Sequence, residues 1–165
     1  MLYLDLDHFK RINNSMGHET GDRLLQTIAD RFRTTLRKND LVARLDGDEF
    51  AILLLDTDSV AHVQKTADKL IGLVQQPFAL NGGEVIVSAT IGIAMIPDDG
   101  QDASTLLRNA DLAMYAAKKR GKRQSHFFDQ KMQQIASQNL LLEQDLHKAY
   151  CRLYSSSQLL RNRVW

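Results

Sequence analysis

The feature that most constrains the fold is a pair of apolar runs, Leu41–Leu45 and Phe50–Leu55, joined through Asp46-Gly47. Asp-Gly tolerates positive φ at both positions of a tight turn, so the runs predict an antiparallel hairpin. Around this hairpin the periodicity alternates between strand and helix. Met1 to Leu6 reads as a short strand with Asp5 and Asp7 toward its end, and Phe9, Ile12 and Met16 then recur at helical spacing until Gly17. Leu24, Leu25, Ile28, Phe32 and Leu36 predict a longer amphipathic helix that begins near Thr20 to Asp22 and ends around Asn39.

Beyond the hairpin, Val60, Val63, Ala67, Leu70, Ile71 and Val74 predict a helix from about Ser59 to Gln75. Asn81-Gly82-Gly83 reads as a turn into a β-branched strand from Val85 to Ile96, closed by Pro97. Asp102 or Ser104 can cap a helix whose Leu106, Leu107, Ala110, Ala113, Met114 and Ala117 form one apolar stripe, and Gln124 to Phe128 reads as a last strand. Crossovers mixed with a hairpin predict an α/β fold with a mixed central β-sheet flanked by helices. The main domain is expected over residues 1–128. From Asp129 the sequence turns polar and helical to about Tyr150, with Leu140, Leu141, Leu142 and Leu146, so 129–165 reads as a tail helix or linker.

The chain has 21 basic and 20 acidic residues, net +1, so no global field favours nucleic acid or an anionic membrane. No run approaches the 18 or so apolar residues of a membrane span, and the N-terminus lacks the pattern of a signal peptide. A lone Cys151 allows no internal disulfide. The domain is therefore expected in the cytoplasm, although a longer parent protein is free to carry a membrane anchor.

Asp5 and Asp7, two apart on a strand, share a face, and Asp48 and Glu49 follow the hairpin turn. Hard cations such as Mg²⁺ take oxygen ligands, generally one or two carboxylates plus substrate phosphates. A strand-end aspartate facing a hairpin acid fits that pattern; a solvated strand end fits it too. Lys118, Lys119, Arg120 and Lys122 near a helix end suit the helix dipole. The five histidines, His8, His18, His62, His126 and His147, are scattered and suggest no ligand set.

Four segments resemble, in order, the motifs of the GGDEF diguanylate cyclases: Asp5 to Asn14, Gly17 to Asp22, the hairpin Arg44-Leu45-Asp46-Gly47-Asp48-Glu49-Phe50, and Tyr115 to Lys122. The resemblance implies a palm-like nucleotide cyclase fold that condenses two GTP into cyclic di-GMP, with Mg²⁺ or Mn²⁺ as cofactor. It implies that Asp5, the Leu6 carbonyl and Asp48 hold metal with Glu49 beside them, and that Asp48 serves as base for the 3′-hydroxyl. By the same resemblance Lys10 steadies charge at the α-phosphate, Lys118 and Lys122 hold the terminal phosphates, Asn13 and Asp22 bind guanine, and Gly47 borders the substrate. Phosphoryl transfer asks mainly for alignment and charge neutralisation, which this residue set supplies. Each site takes one GTP, so a homodimer is implied. Arg37 and Asp40 match the family's inhibitory product site, where arginine and aspartate suit the phosphates and guanine edge of cyclic di-GMP.

Three departures stand out. Asp46 occupies a position where the family most often has glycine, and an added carboxylate repels a triphosphate unless a cation offsets it. The family's helix and opening segment before the first strand are not in this sequence. Leu141 to Ala149 resembles the linker to an EAL phosphodiesterase domain, whereas Tyr150 to Trp165 does not resemble an EAL start. A second expected function is therefore a degenerate domain that binds GTP or cyclic di-GMP and regulates a fused phosphodiesterase.

Overall fold

The computed structural model describes residues 1–57, 59–80 and 83–161. It forms two units, Met1–Asp129 and Gln130–Trp165. The first holds β1 (Leu2–Asp7), α1 (Phe9–Met16), α2 (His18–Thr35), β2 (Leu41–Asp46), β3 (Glu49–Leu53), α3 (Val60–Val74), β4 (Phe78–Leu80), β5 (Gly83–Val85), β6 (Ser88–Ile93), α4 (Ala103–Lys119) and β7 (Ser125–Phe127). The second is a single helix, α5 (Gln130–Arg161).

Five strands form one mixed sheet in the order β2-β3-β1-β6-β7. The central strand β1 runs antiparallel to β3 and β6, and only β6 and β7 are parallel. Leu2, Leu4 and Leu6 of β1 cluster with Leu24, Ile28 and Phe32 of α2 and with Val63, Leu70 and Val74 of α3, all but fully buried. Burying one such side chain contributes about 1.5–3 kcal/mol, so this cluster carries much of the fold's stability. Phe32 meets Phe50 edge-on, with centroids 5.6 Å apart.

The other sheet face takes α4. Gly92 of β6 makes its close approach feasible, since a Cβ there would overlap the Ala110 carbonyl oxygen and the Met114 amide. Asp102 caps α4 by accepting from the Thr105 amide at 2.9 Å, so of the two expected capping residues Asp102 serves. Arg31 of α2 ties down carbonyls at and just beyond the end of α3: its guanidinium donates to Leu73, Gln76 and Pro77 and lies 3.8 Å from the Phe78 ring centroid.

Several element boundaries differ from expectation. In the hairpin, Asp46 pairs with Glu49, so the turn is Gly47-Asp48 and not Asp46-Gly47, with a register shift between Arg44 and Asp46. Gly47 takes φ 45, and the shift by one residue puts Asp48 at the tip. α2 starts at His18 and stops at Thr35, because Leu36 turns extended and the Asp40 carboxylate accepts the Arg37 amide at 2.9 Å. The strand expected over Val85–Ile96 is two strands: β5 pairs with β4 in a separate small sheet, and the chain crosses to the main sheet through Ile86 and Val87. Asn81 and Gly82 of the expected turn, like residues 162–165, lie outside the described residues. α5 continues past Tyr150 to Arg161. Among the described residues no helix is long and apolar enough to cross a membrane.

Candidate active site

Strand register builds the site. Asp5 stands opposite Glu49 on β3 and Thr90 on β6, and Asp48 precedes Glu49 in the turn. The Leu6 amide donates to the Asp48 carbonyl at 3.3 Å, fixing the hairpin tip against the end of β1. From α4, Lys118 reaches back to the sheet and its Nζ lies 2.7 Å from Asp5 Oδ1. Glu49 accepts from the Tyr3 hydroxyl at 2.7 Å, so its carboxylate is oriented from the neighbouring strand. Three of the expected metal-site acids and one expected phosphate lysine thus share one corner of the sheet.

Burial pushes the Asp5 carboxyl above its ordinary range; Lys118 opposes the shift, and the Asp48 and Glu49 charges add to it. Asp48 is raised as well, first by burial and further by Glu49 and Asp46, against the pull of Lys118. Asp111 on α4 is raised by burial and by Glu49. The site is an excess of carboxylates around one ammonium, which is the electrostatics of a cation site. Among the described residues no three His, Cys, Asp or Glu side chains converge on one metal position, so an ion here would need other oxygens as well. Two carboxylates completed by a backbone carbonyl and substrate phosphates is how Mg²⁺ is generally held, and the residues fit.

These shifts carry a pH prediction. Raised carboxyls must lose protons to hold a cation, so Mn²⁺ binding is expected to release protons and to weaken as the pH falls through the raised values, which lie above 3.8. The linkage runs the opposite way for the metal-free fold: with folded pKa values above unfolded ones, these two groups oppose folding at neutral pH, and that contribution is relieved on acidification. Calorimetric titration of Mn²⁺ over an acidic pH series upward from 3.8, in buffers of differing ionisation enthalpy, reads the proton release directly; identical heats in all buffers throughout the series would contradict it.

The remaining expected residues lie around this corner or apart from it. Asn13 of α1 is pressed against Gly21 of α2, and its side-chain oxygen is buried without a hydrogen-bond partner. An orphaned buried acceptor costs about 1–3 kcal/mol. Lys10 and Asp22 are exposed on α1 and α2. Lys122 has left-handed backbone geometry, φ 61, and its Nζ lies 3.1 Å from His8 Nε2. The Gly47 carbonyl accepts from Arg44 Nε at 2.8 Å. Arg37 and Asp40 line a separate cavity of about 250 Å³ together with His62, Lys65 and Lys69. Asp40 also accepts the Leu55 amide at 3.1 Å, so its carboxylate helps hold the turn as well as lining the cavity.

Residue-by-residue reading of the sequence missed Tyr3, His8 and Asp111, and set Asp7 on one face with Asp5 without separating their roles. Signals for two of them were present: Tyr3 precedes Asp5 by two on one strand face, and Asp111 precedes Lys118 by seven, two turns along one helix face.

Residues 1–124 match the family described as "Diguanylate cyclase, GGDEF domain". Cyclic di-GMP phosphodiesterase NbdA of Pseudomonas aeruginosa is 40% identical over 150 residues, which cover 90% of this chain and 19% of NbdA. Bifunctional diguanylate cyclase/cyclic di-GMP phosphodiesterase MucR of the same organism is 43% identical over 149 residues, covering 90% of this chain and 22% of MucR. The chain thus spans about a fifth of the length of these relatives. The GGDEF domain of TpbB (YfiN) from P. aeruginosa has the same fold, with a TM-score of 0.79 and 42% identity over 82% of this chain and 80% of that one.

Proposed function

Because the chain belongs to the GGDEF family of diguanylate cyclases, we propose that its first unit joins two GTP molecules into cyclic di-GMP. In each half-reaction the 3′-oxygen of one GTP forms a bond to the α-phosphorus of the other, the bond to pyrophosphate breaks, and the hydroxyl proton leaves to Asp48. The observation that carries this reading is that Asp5, Asp48, Glu49 and Lys118 share one corner of the sheet.

Asp5, the Leu6 carbonyl and Asp48, with Glu49 beside them, would hold Mg²⁺ or Mn²⁺. Such an ion, when bound, neutralises phosphate charge and lowers the pKa of an attacking hydroxyl. Asp48 takes the role of base by the family resemblance of its hairpin; in the metal-free site burial raises its carboxyl above the ordinary range. Lys118 and Lys122 hold the terminal phosphates, and Lys10 counters charge at the α-phosphate. Asn13 and Asp22 bind the guanine edge, the exposed Asp22 carboxylate accepting from its donors. A bidentate contact of this type discriminates bases by roughly 1–3 kcal/mol. Two sites face each other in a homodimer, and product returns to the cavity of Arg37 and Asp40 as an inhibitor. NbdA and MucR bear phosphodiesterase names and are much longer than this chain, which supports a parent with an EAL domain after α5.

The test is product formation by the full-length parent protein, shown to be folded and dimeric, with GTP and Mg²⁺ or Mn²⁺. No cyclic di-GMP would sink the reading. A second reading, a GTP-binding regulator without turnover, is favoured by Asp46, whose charge adds to the upward shift of Asp48. Binding of GTP without product would select it. If Asp46 only tunes the cyclase, Asp46→Gly is expected to raise kcat/KM about threefold to tenfold, a modest gain because the carboxylate is exposed and screened. An unchanged rate in a protein that does turn over would show Asp46 to be neutral.

A further inference from the structure

Asp7 is a buried carboxylate to which the chemistry above gives no task. It is 4% exposed. A buried polar group needs hydrogen-bond donors in place of water. Ser88 Oγ donates to Oδ2 at 2.7 Å and Thr90 Oγ1 donates to Oδ1 at 2.9 Å, both from the adjacent strand β6. The third donor comes from far along the chain: the Arg123 amide lies 3.4 Å from Oδ2 and also donates to Thr90 Oγ1 at 3.2 Å.

That third contact holds an unusual backbone. Gly121, Lys122 and Arg123 take φ values of 129, 61 and 53 in succession, so two consecutive non-glycine residues are left-handed. Side-chain-bearing residues adopt this region at a cost and persist there when their surroundings fix them. The Asp7–Thr90 pair supplies that fixing at Arg123. Lys122 lies inside the turn, and its Nζ meets His8, the residue next to Asp7 and itself left-handed at φ 63. The backbone end of the Lys122 geometry therefore rests on the Asp7 carboxylate, and its ammonium end on the residue that follows Asp7.

We propose that Asp7 is a positioning residue for Lys122: by gripping the Arg123 amide it holds the left-handed turn that presents the Lys122 ammonium to the terminal phosphates of GTP. The inference rests on the phosphate role proposed above for Lys122. It separates the two acids of the Asp5-Leu6-Asp7 strand end, with Asp5 facing the cation and Asp7 acting one step removed, through the loop after α4.

The test uses the whole chain with Mg²⁺ and two ligands that cannot react because they lack the attacking hydroxyl, 3′-deoxyguanosine triphosphate and 3′-deoxyguanosine monophosphate. Lys122→Ala is expected to weaken the triphosphate about tenfold and the monophosphate less than about twofold, the size of one lost charge-assisted contact. Asp7→Ala is expected to do the same alone and to add nothing in the Lys122→Ala background, the non-additivity of residues acting as one unit. Asp7→Asn should retain most of the affinity, since its oxygen can accept from Ser88 and Arg123 while its NH₂ donates to the Thr90 hydroxyl. Thr90→Val keeps the volume, removes a second acceptor from the Arg123 amide, and should shift affinity in the same direction as Asp7→Ala; it serves as the test if Asp7→Ala does not fold. Equal weakening of both ligands, or an undiminished effect without Lys122, would mark Asp7 as merely structural and overturn the proposal. If Lys122→Ala weakens the triphosphate while Asp7→Ala and Thr90→Val do not, this inference falls alone. If Lys122→Ala has no effect, the phosphate assignment falls and takes the inference with it.

Discussion

Exchanging Asp48 for asparagine is expected to cut cyclic di-GMP formation by about 10³-fold or more, the scale on which active-site charge stabilisation operates. The same change is expected to leave the metal-free fold as stable as before, or more so. The second half follows from the electrostatics: Asp48 is half-buried, and Glu49 and Asp46 crowd it with like charge. A neutral amide of the same shape removes that repulsion, whereas the backbone contact between Leu6 and Asp48 survives, because it uses the Asp48 carbonyl and not its side chain. Added Mn²⁺ should raise the melting temperature of the parent domain through binding linkage and have little effect on the variant. Product formation and thermal unfolding with and without Mn²⁺ settle both halves. A variant that loses stability together with activity would show that Asp48 serves the fold.

Gly92→Ala is expected to give the opposite signature, losing stability and nucleotide binding together. The added Cβ meets backbone atoms of Ala110 and Met114, which no rotamer change relieves, so β6 and α4 must separate. Overpacking of this kind costs about 1–3 kcal/mol, and here the neighbours that must yield are main chain, which places the effect toward the upper end. For a domain of this size that corresponds to a fall in melting temperature of about 5 °C or more. Lys118 and Asp111 ride on α4, so the displacement also moves them from Asp5 and Glu49. Thermal unfolding and equilibrium binding of 3′-deoxyguanosine triphosphate check the two consequences, and an unperturbed melting temperature would mean the interface relaxes more easily than its geometry indicates.

Local chemistry was legible in the sequence where a signal sits within a few residues. The stripes of α3 and α4, the capping Asp102 and the existence of the β2–β3 hairpin all follow from spacing and residue type. The hairpin's turn came out one residue late because both Asp46-Gly47 and Gly47-Asp48 satisfy turn chemistry, and pairing between Asp46 and Glu49 decides between them. The three-residue strands β4 and β5 carry too little periodicity to be seen, and the break at Ile86 and Val87 depends on which partner each half finds. The site was divided in the same way. Asp5, Asp48 and Glu49 stand in recognisable motifs, while Tyr3 against Glu49, Asp7 against Arg123 and Lys122 against His8 join positions 46, 116 and 114 residues apart. Such contacts exist only once the register is known.

Asp5 sits on β1, the middle strand, which has ladder partners on both sides from Leu2 to Asp5. Amide protons in such a strand exchange with solvent only when the whole domain opens, in contrast to those of helix ends and surface turns. The carboxylate Asp5 is therefore anchored to the most slowly exchanging part of the molecule, while Asp48 and Lys122 hang from turns that can fluctuate independently. Deuterium uptake should accordingly be slowest at Leu4 and fast around Gly47 and Gly121, and a bound nucleotide should slow the two turns while leaving β1 as it was.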